Sequence, residues 1–264
     1  MVDIVRSLRK IPSDLLPFDA VREKLRLLHT VDRGVQEVPL DRIVGSLGRE
    51  REFNRVFLPR QESLRYRWQQ IRRVAEGLKG FHPVDLYKVG DAYFVRDGHH
   101  RVSVVRALGA PTIEANVREF ITDVPIGPND SIEALILRRG RIDFVEATGI
   151  EVGHVTEIDG YQRLLDHISV HRYYLGIETQ RHIDWPEAVQ SWRRTVYDPM
   201  IELIRKSGVI SAFPGRSETD LYLFAMDHLH YLRERYEKAL PAEAVHEMRE
   251  SRRWSERQRR FFRV

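Results

Sequence analysis

Between Pro83 and Gly109 the chain switches hydrophobic period once, with only Asp97-Gly98 to make the change, and few folds satisfy that constraint. Val84, Leu86 and Lys88, then Tyr93 and Val95, alternate on either side of Gly90-Asp91, the pattern of two strands joined by a tight turn. Beyond Gly98, Val102, Val105 and Leu108 recur at helical spacing, and Gly109 supplies a C-terminal stop. The spacing therefore predicts a β-hairpin whose second strand runs through Asp97-Gly98-His99-His100-Arg101 into a helix.

Such a loop is suited to an anion. The first N–H groups of a helix have no partner within it, and that end of the helix is electropositive. Gly98 lets the backbone approach a ligand closely, and His99, His100 and Arg101 add side-chain donors. A fixed charge at Arg101 opposes the helix dipole at a cost of a few tenths of a kcal/mol, which a bound phosphate would reverse. Asp97 has three roles open to it: capping the helix, taking a proton from a substrate hydroxyl, or holding a magnesium ion that bridges to the phosphates. The plainer alternative is an ordinary turn with Asp97 as the N-cap and Arg101 paired to a nearby acid.

On either side of this unit the pattern is coarser. Residues 1–36 read as a helical leader, with Val21, Leu25 and Leu28 on one face. Glu37 to Leu40 reads as a short strand turning into a short helix through Ile43, Val44 and Leu47. A longer helix carries Leu64, Trp68, Ile71 and Ala75. Thr112 to Val117 alternates as a strand. The loop through Pro125, Gly127, Pro128, Asn129 and Asp130 marks a domain boundary, and almost everything after it reads helical. Helices are expected from Ile132 to near Gly149 and from Tyr161 to Leu175. Asp184-Trp185-Pro186-Glu187 opens another with a capping box, and Asp198-Pro199 kinks or restarts it. Ser217 caps a further helix, and Pro241 starts a polar, arginine-rich last one. The expected fold class is α+β: a small mixed sheet in residues 37–122 and an all-helical domain in residues 123–264.

Composition excludes some chemistry. The 264 residues are 42% hydrophobic and 31% charged, as in a soluble globular protein. No apolar run approaches the roughly 18 residues needed to span a bilayer, so a cytoplasmic location is expected. There is no cysteine, which rules out disulfides, thiolate metal sites and thiol nucleophiles. Net charge is only +4, but arginine clusters in residues 49–73 and 249–263. Both clusters suit a phosphate-rich partner such as DNA, or else form solvated helix faces.

Three smaller groupings complete the candidates. Arg49, Arg55 and Arg216 are secondary anion contacts, the last in a turn before a capped helix. His167 and His171 stand at i and i+4, a metal-binding spacing without an evident third ligand. Trp185, Trp192, Tyr222 and Phe224 read as helical core.

The residues of the hairpin unit, Pro83-Val84-Asp85-Leu86-Tyr87-Lys88 and Tyr93 to Arg101 with Ala107-Leu108-Gly109, resemble the core of the ParB/sulfiredoxin superfamily over roughly Glu37 to Phe120. The resemblance implies a nucleotide site. ParB-type members bind CTP phosphates with a Gly-Glu-Arg-Arg loop, and sulfiredoxin binds ATP beside a reactive cysteine. A free-serine kinase of the superfamily has an Asp-Gly-His-Thr-Arg loop, matched here except at His100. Without cysteine, reductase chemistry is excluded. The kinase likeness makes Asp97 a candidate base, with Glu50 or Glu52 nearest the place of its acidic partner. Residues Leu165 to Tyr174 and Phe213 to Tyr222 resemble a bacterial helical domain of unknown function, the DUF4032 type. Together these imply a protein that binds CTP, ATP or ADP, with or without Mg2+, through Gly98, His99, His100 and Arg101. Its chemistry would be NTP hydrolysis or phosphotransfer, which calls for positioning and charge neutralisation. The alternative is a DNA-binding regulator or partition-type protein with nucleotide as its switch. A homodimer is left open beside a monomer.

Overall fold

The protein is described by a computed structural model covering residues 14–60, 82–236 and 246. It divides into two compact units, Met1–Arg139 and Gly140–Val264.

The first unit is built on a mixed sheet of β1 (Leu16–Pro17), β2 (Thr30–Pro39), β3 (Ile43–Ser46), β4 (Val84–Val89), β5 (Ala92–Asp97) and β6 (Thr112–Phe120), in the order β1-β3-β5-β4-β6-β2. The expected hairpin is present: β4 and β5 pair antiparallel across Gly90-Asp91. β3 runs parallel to β5, and β6 runs parallel to β4, so the hairpin occupies the middle of the sheet.

Alternation along these strands sorts their side chains by face. Val84 and Leu86, Tyr93 and Val95, and Ile113, Ala115 and Val117 share one core with Val102 of α2 (His99–Ala107). Burying each aliphatic side chain contributes about 1.5–3 kcal/mol, so the core can hold the loop at its edge in place. On the other face, α1 (Phe18–Lys24) sets the Phe18 ring 4.6 Å from Tyr87, 5.5 Å from Phe94 and 5.2 Å from Phe120.

Two expectations are corrected. The stretch with Ile43, Val44 and Leu47 is not a helix: Ile43 to Ser46 is a strand, buried along its whole length between β1 and β5. An apolar run buried on both faces has no alternation to read, and here Gly45 lies where a Cβ would meet the Phe94 ring at 2.2 Å. Among the described residues the segment read as a helical leader contributes the two-residue β1 and the short α1, and from Thr30 it enters β2, the longest strand described. β2 lies at the sheet edge with most of its side chains exposed, so it lacks a buried apolar face to announce it. The expected helix through Leu64, Trp68, Ile71 and Ala75 and the one after Pro241 lie outside the described residues.

From the loop at 125–130 onward the regular structure among the described residues is helical, as expected: α3 (Ile132–Thr148), α4 (Gly160–Thr179), α5 (Trp185–Trp192), α6 (Asp198–Ser207) and α7 (Glu218–Tyr236). The Asp184 carboxylate accepts from the Glu187 N–H at 2.8 Å, the predicted cap of α5. At Asp198-Pro199 the backbone passes through a π turn, Arg193–Tyr197, before α6 begins. Proline supplies no N–H for the preceding turn, and the widened turn absorbs the loss. The helical core of the second unit is centred on Trp192, Tyr222, Phe144 and Phe224. Inside it the Tyr222 hydroxyl accepts from Trp192 Nε1 at 3.1 Å and meets His167 Nδ1 at 3.3 Å. Among the described residues no helix is long and apolar enough to cross a membrane.

Candidate functional site

β5 delivers the chain to Gly98, which opens α2 in the left-handed conformation at φ 95°, ψ 21°. A Cβ there would lie 2.5 Å from Val84 Cγ1 and 2.9 Å from Val84 Cβ, so strand β4 presses against the glycine and admits no side chain. The capping residue is thus Gly98 and not Asp97. It offers no side-chain acceptor to the helix, and the first turn contains no acid. The positive end of α2 is therefore not neutralised by an acidic side chain of its own first turn.

The two histidines turn inward. His99 Nε2 lies 2.7 Å from the Ser46 hydroxyl, and the same hydroxyl accepts from the Arg49 backbone N–H at 3.2 Å. The His99 ring stacks on Phe53 at 6.0 Å, and His100 meets Phe53 edge-on at 5.3 Å. Their imidazoles thus pack into the first unit, leaving the backbone N–H groups as what these residues offer to a ligand.

Burial, helped by the Arg49 charge, pushes His99 down to about 4, although Asp97 and the Val95 carbonyl act the other way. At neutral pH the ring is neutral in both the folded and unfolded chain. Below pH about 6.5 the unfolded chain takes up a proton that the folded one refuses, so stability falls until the pH reaches about 4. The loss over that window is on the order of 3 kcal/mol. Urea unfolding at pH 7, 5.5 and 4 is expected to show it in the wild type and not in His99→Asn; equal losses in both would mean that another group is responsible.

Arg101 is the side chain that faces forward. Its guanidinium donates to Asp97 Oδ2 at 2.6 Å, to the His82 carbonyl at 2.7 Å and to the Pro83 carbonyl at 3.0 Å. The pairing of Arg101 with a nearby acid, one of the two alternatives read from the sequence, is therefore what the loop displays. The Asp97 side chain is 71% exposed, so this is an open ion pair of modest strength.

The remaining candidates separate by position. Arg49 is drawn to the loop through Ser46 and also pairs with Glu52 at 3.5 Å; Glu50 is half-buried in the same turn. Arg55 is buried, with its guanidinium bonded to the carbonyls of Val44 at 2.8 Å and Pro128 at 2.6 Å. Burial and the Arg106 charge lower it to about 10, and it acts as an internal tie in place of the anion contact expected of it. Arg216 belongs to the second unit, where it donates to Thr156 Oγ1 at 2.9 Å, pairs with Glu157 at 3.3 Å and lies over the Phe224 ring. His167 and His171 share α4, but His171 Nε2 meets the Ser191 hydroxyl at 3.0 Å while His167 meets Tyr222. Burial lowers both, and no cluster of three metal-binding side chains occurs among the described residues.

A solved structure of sulfiredoxin from Arabidopsis thaliana matches with 21% identity over 32% of this chain and 84% of that one, at a TM-score of 0.26. No protein-family model matches the chain, and no curated protein does.

Reading the sequence missed Ser46 and Phe53, which fix the two imidazoles. Both lie far from the loop in sequence, and Ser46 sits in a segment whose strand character was hidden. It also missed Asp220, although its spacing from Ser217 is that of a capping box.

Proposed function

We propose that this protein binds a nucleotide through its phosphates at the N-terminus of α2. The observation that carries the reading is the uncapped start of α2 at Gly98, with the Arg101 guanidinium already holding one oxyanion, Asp97, in front of it. An arriving phosphate competes with Asp97 for Arg101 and gains the backbone N–H groups of His99, His100 and Arg101, a stronger set of donors than the carboxylate has. The likeness of the loop to the nucleotide-binding loops of the ParB/sulfiredoxin superfamily supports the same choice.

Release from Arg101 would free the Asp97 carboxylate. It then lies beside the phosphates, as a magnesium contact or as a base toward an acceptor hydroxyl. Magnesium needs only one or two protein carboxylates when phosphates complete its shell, and an exposed aspartate is the kind of donor it takes. The chemistry this arrangement favours is hydrolysis or phosphoryl transfer, in which placement and charge neutralisation do most of the work. In the described part of the first arginine cluster Arg49, Arg55 and Arg60 are engaged within the chain, Arg60 with Asp14, while Arg51 is exposed; the regulator reading draws on that one position there.

Thermal unfolding with CTP, ATP, ADP and GTP, with and without magnesium, tests the proposal. At a concentration 100 times the dissociation constant the right nucleotide is expected to stabilise the fold by about 2.7 kcal/mol. Arg101→Ala is expected to abolish the shift. Stabilisation by none of the four nucleotides would overturn the reading.

A further inference from the structure

A hydrogen-bonded chain runs through the core of the second unit, from Trp192 of α5 through Tyr222 of α7 to His167 of α4. Its direction follows from what each group can do. Indole Nε1–H only donates, so at 3.1 Å it takes a lone pair of the Tyr222 hydroxyl. Tyr222 is fully buried, and burial raises its phenol above the ordinary range, so the hydroxyl keeps its proton. That proton goes to His167 Nδ1, 3.3 Å away, which is then the unprotonated nitrogen of a neutral ring. The His167 and Trp192 rings both meet the Tyr222 ring edge to face, at 5.7 and 5.9 Å.

His171, one turn further along α4, provides the contrast. Its Nε2 lies 3.0 Å from the Ser191 hydroxyl of α5, and both residues are partly exposed. A serine hydroxyl rotates, so Ser191 can donate to a neutral ring or accept from a charged one. Tyr222 lacks that freedom. If His167 Nδ1 gains a proton, the phenol oxygen receives two donors and its own buried proton loses its acceptor, an arrangement that native interiors seldom hold.

We infer that the Trp192–Tyr222–His167 chain is an acid-sensitive latch between α4 and α7, closed while His167 is neutral and released when the ring takes up a proton. The groups facing His167 are Arg163 and Asp166 on its own helix and Tyr222 and Asp227 on α7, with Trp192 of α5 behind Tyr222. Burial holds His167 below its ordinary 6.5; Arg163 acts the same way, and Asp227 and Asp166 oppose it. The folded chain thus refuses a proton that the unfolded chain accepts. The latch is at full strength above pH about 6.5 and weakens as the pH falls below it. Once off Tyr222, the imidazolium has Asp166 and Asp227 to turn to.

Nuclear magnetic resonance of the full-length chain between pH 8 and 4.5 tests this, following the Trp192 indole N–H and the ring protons of His167 and His171. The Trp192 and His167 signals are expected to titrate with one shared midpoint below 6.5, and the Trp192 N–H to exchange faster with water past it. Titration of His171 is expected to leave the Trp192 signal in place. His167→Asn keeps an acceptor near the Nδ1 position and takes up no proton, so its Trp192 signal is expected to stay flat over the whole range. The wild-type titration decides the matter alone if that variant fails to fold. A Trp192 signal that ignores His167, that follows His171, or that still titrates in His167→Asn overturns the proposal. So does a His167 midpoint at or above 6.5.

Discussion

Gly98→Ala is expected to destabilise the protein by about 3 kcal/mol, the left-handed backbone supplying roughly 1–2 kcal/mol and the collision with Val84 the rest. The contact is severe because a Cβ would fall 2.5 Å from Val84 Cγ1, and Val84 is itself fully buried in the core. Gly109→Ala is the control. Gly109 ends α2 at φ 76° with nothing within 4 Å of an added Cβ, so it tests backbone strain alone and is expected to cost about 1 kcal/mol. Equal costs for the two substitutions in urea unfolding would show that β4 does not press on the loop as described. The functional consequence is separable. If the phosphates rest on the turn at Gly98, nucleotide stabilisation is expected to disappear in Gly98→Ala under conditions where the variant is still folded, and to survive in Gly109→Ala.

In the second unit Asp220→Ala is expected to cost about 4 kcal/mol. The Asp220 carboxylate is fully buried and accepts from the Thr156 N–H, the Thr156 hydroxyl and the Ser217 N–H, each at 2.8 Å. The Asp220 N–H in turn donates to Ser217 Oγ at 3.0 Å, which closes the cap on α7. Removing the carboxylate strands donors that cannot reach water, at about 1–3 kcal/mol for each buried group left unsatisfied. Asp220→Asn keeps one acceptor oxygen and puts an amide where the Ser217 N–H needs an acceptor, so about half the loss is expected. Glu218→Ala, next in the chain to Thr219 and paired with Arg205 at the surface, is expected to change stability by about 0.5 kcal/mol or less. A melting-temperature series over the three variants checks the order; Asp220→Ala as mild as Glu218→Ala would refute the account of the cap.

Most parts of the fold that were legible from sequence have one face wet. β4 and β6 alternate because about one neighbour in two is buried in the common core, and α3 to α7 carry apolar stripes with caps or breakers at their ends. β5 is buried from Ala92 to Val95 and was legible through the turn at Gly90-Asp91 beside it. β3 and β2 fail the same test in opposite ways, the first buried on every residue and the second exposed on nearly all of them. At the site the sequence located the turn, the glycine and the helix start, since these depend on neighbours in the chain. It did not reveal that His99 and His100 point inward, because Ser46 and Phe53 decide that and are brought up by the sheet. Arg55 shows the same limit. A buried arginine tied to backbone carbonyls has the composition of a surface anion contact and none of its freedom.

The strand order has a consequence for how this chain is made. Residues 14–60 supply three strands, but β1 and β3 lie at one edge of the sheet and β2 at the other, with β5, β4 and β6 between them. Among the described residues β2 pairs with β6, which is complete only at Phe120. β2 is therefore made before its partner, and β3 before β5, while β1 and β3 have each other at once. Loop closure over such separations is slow, so closing the sheet waits on the chain from Val84 to Phe120.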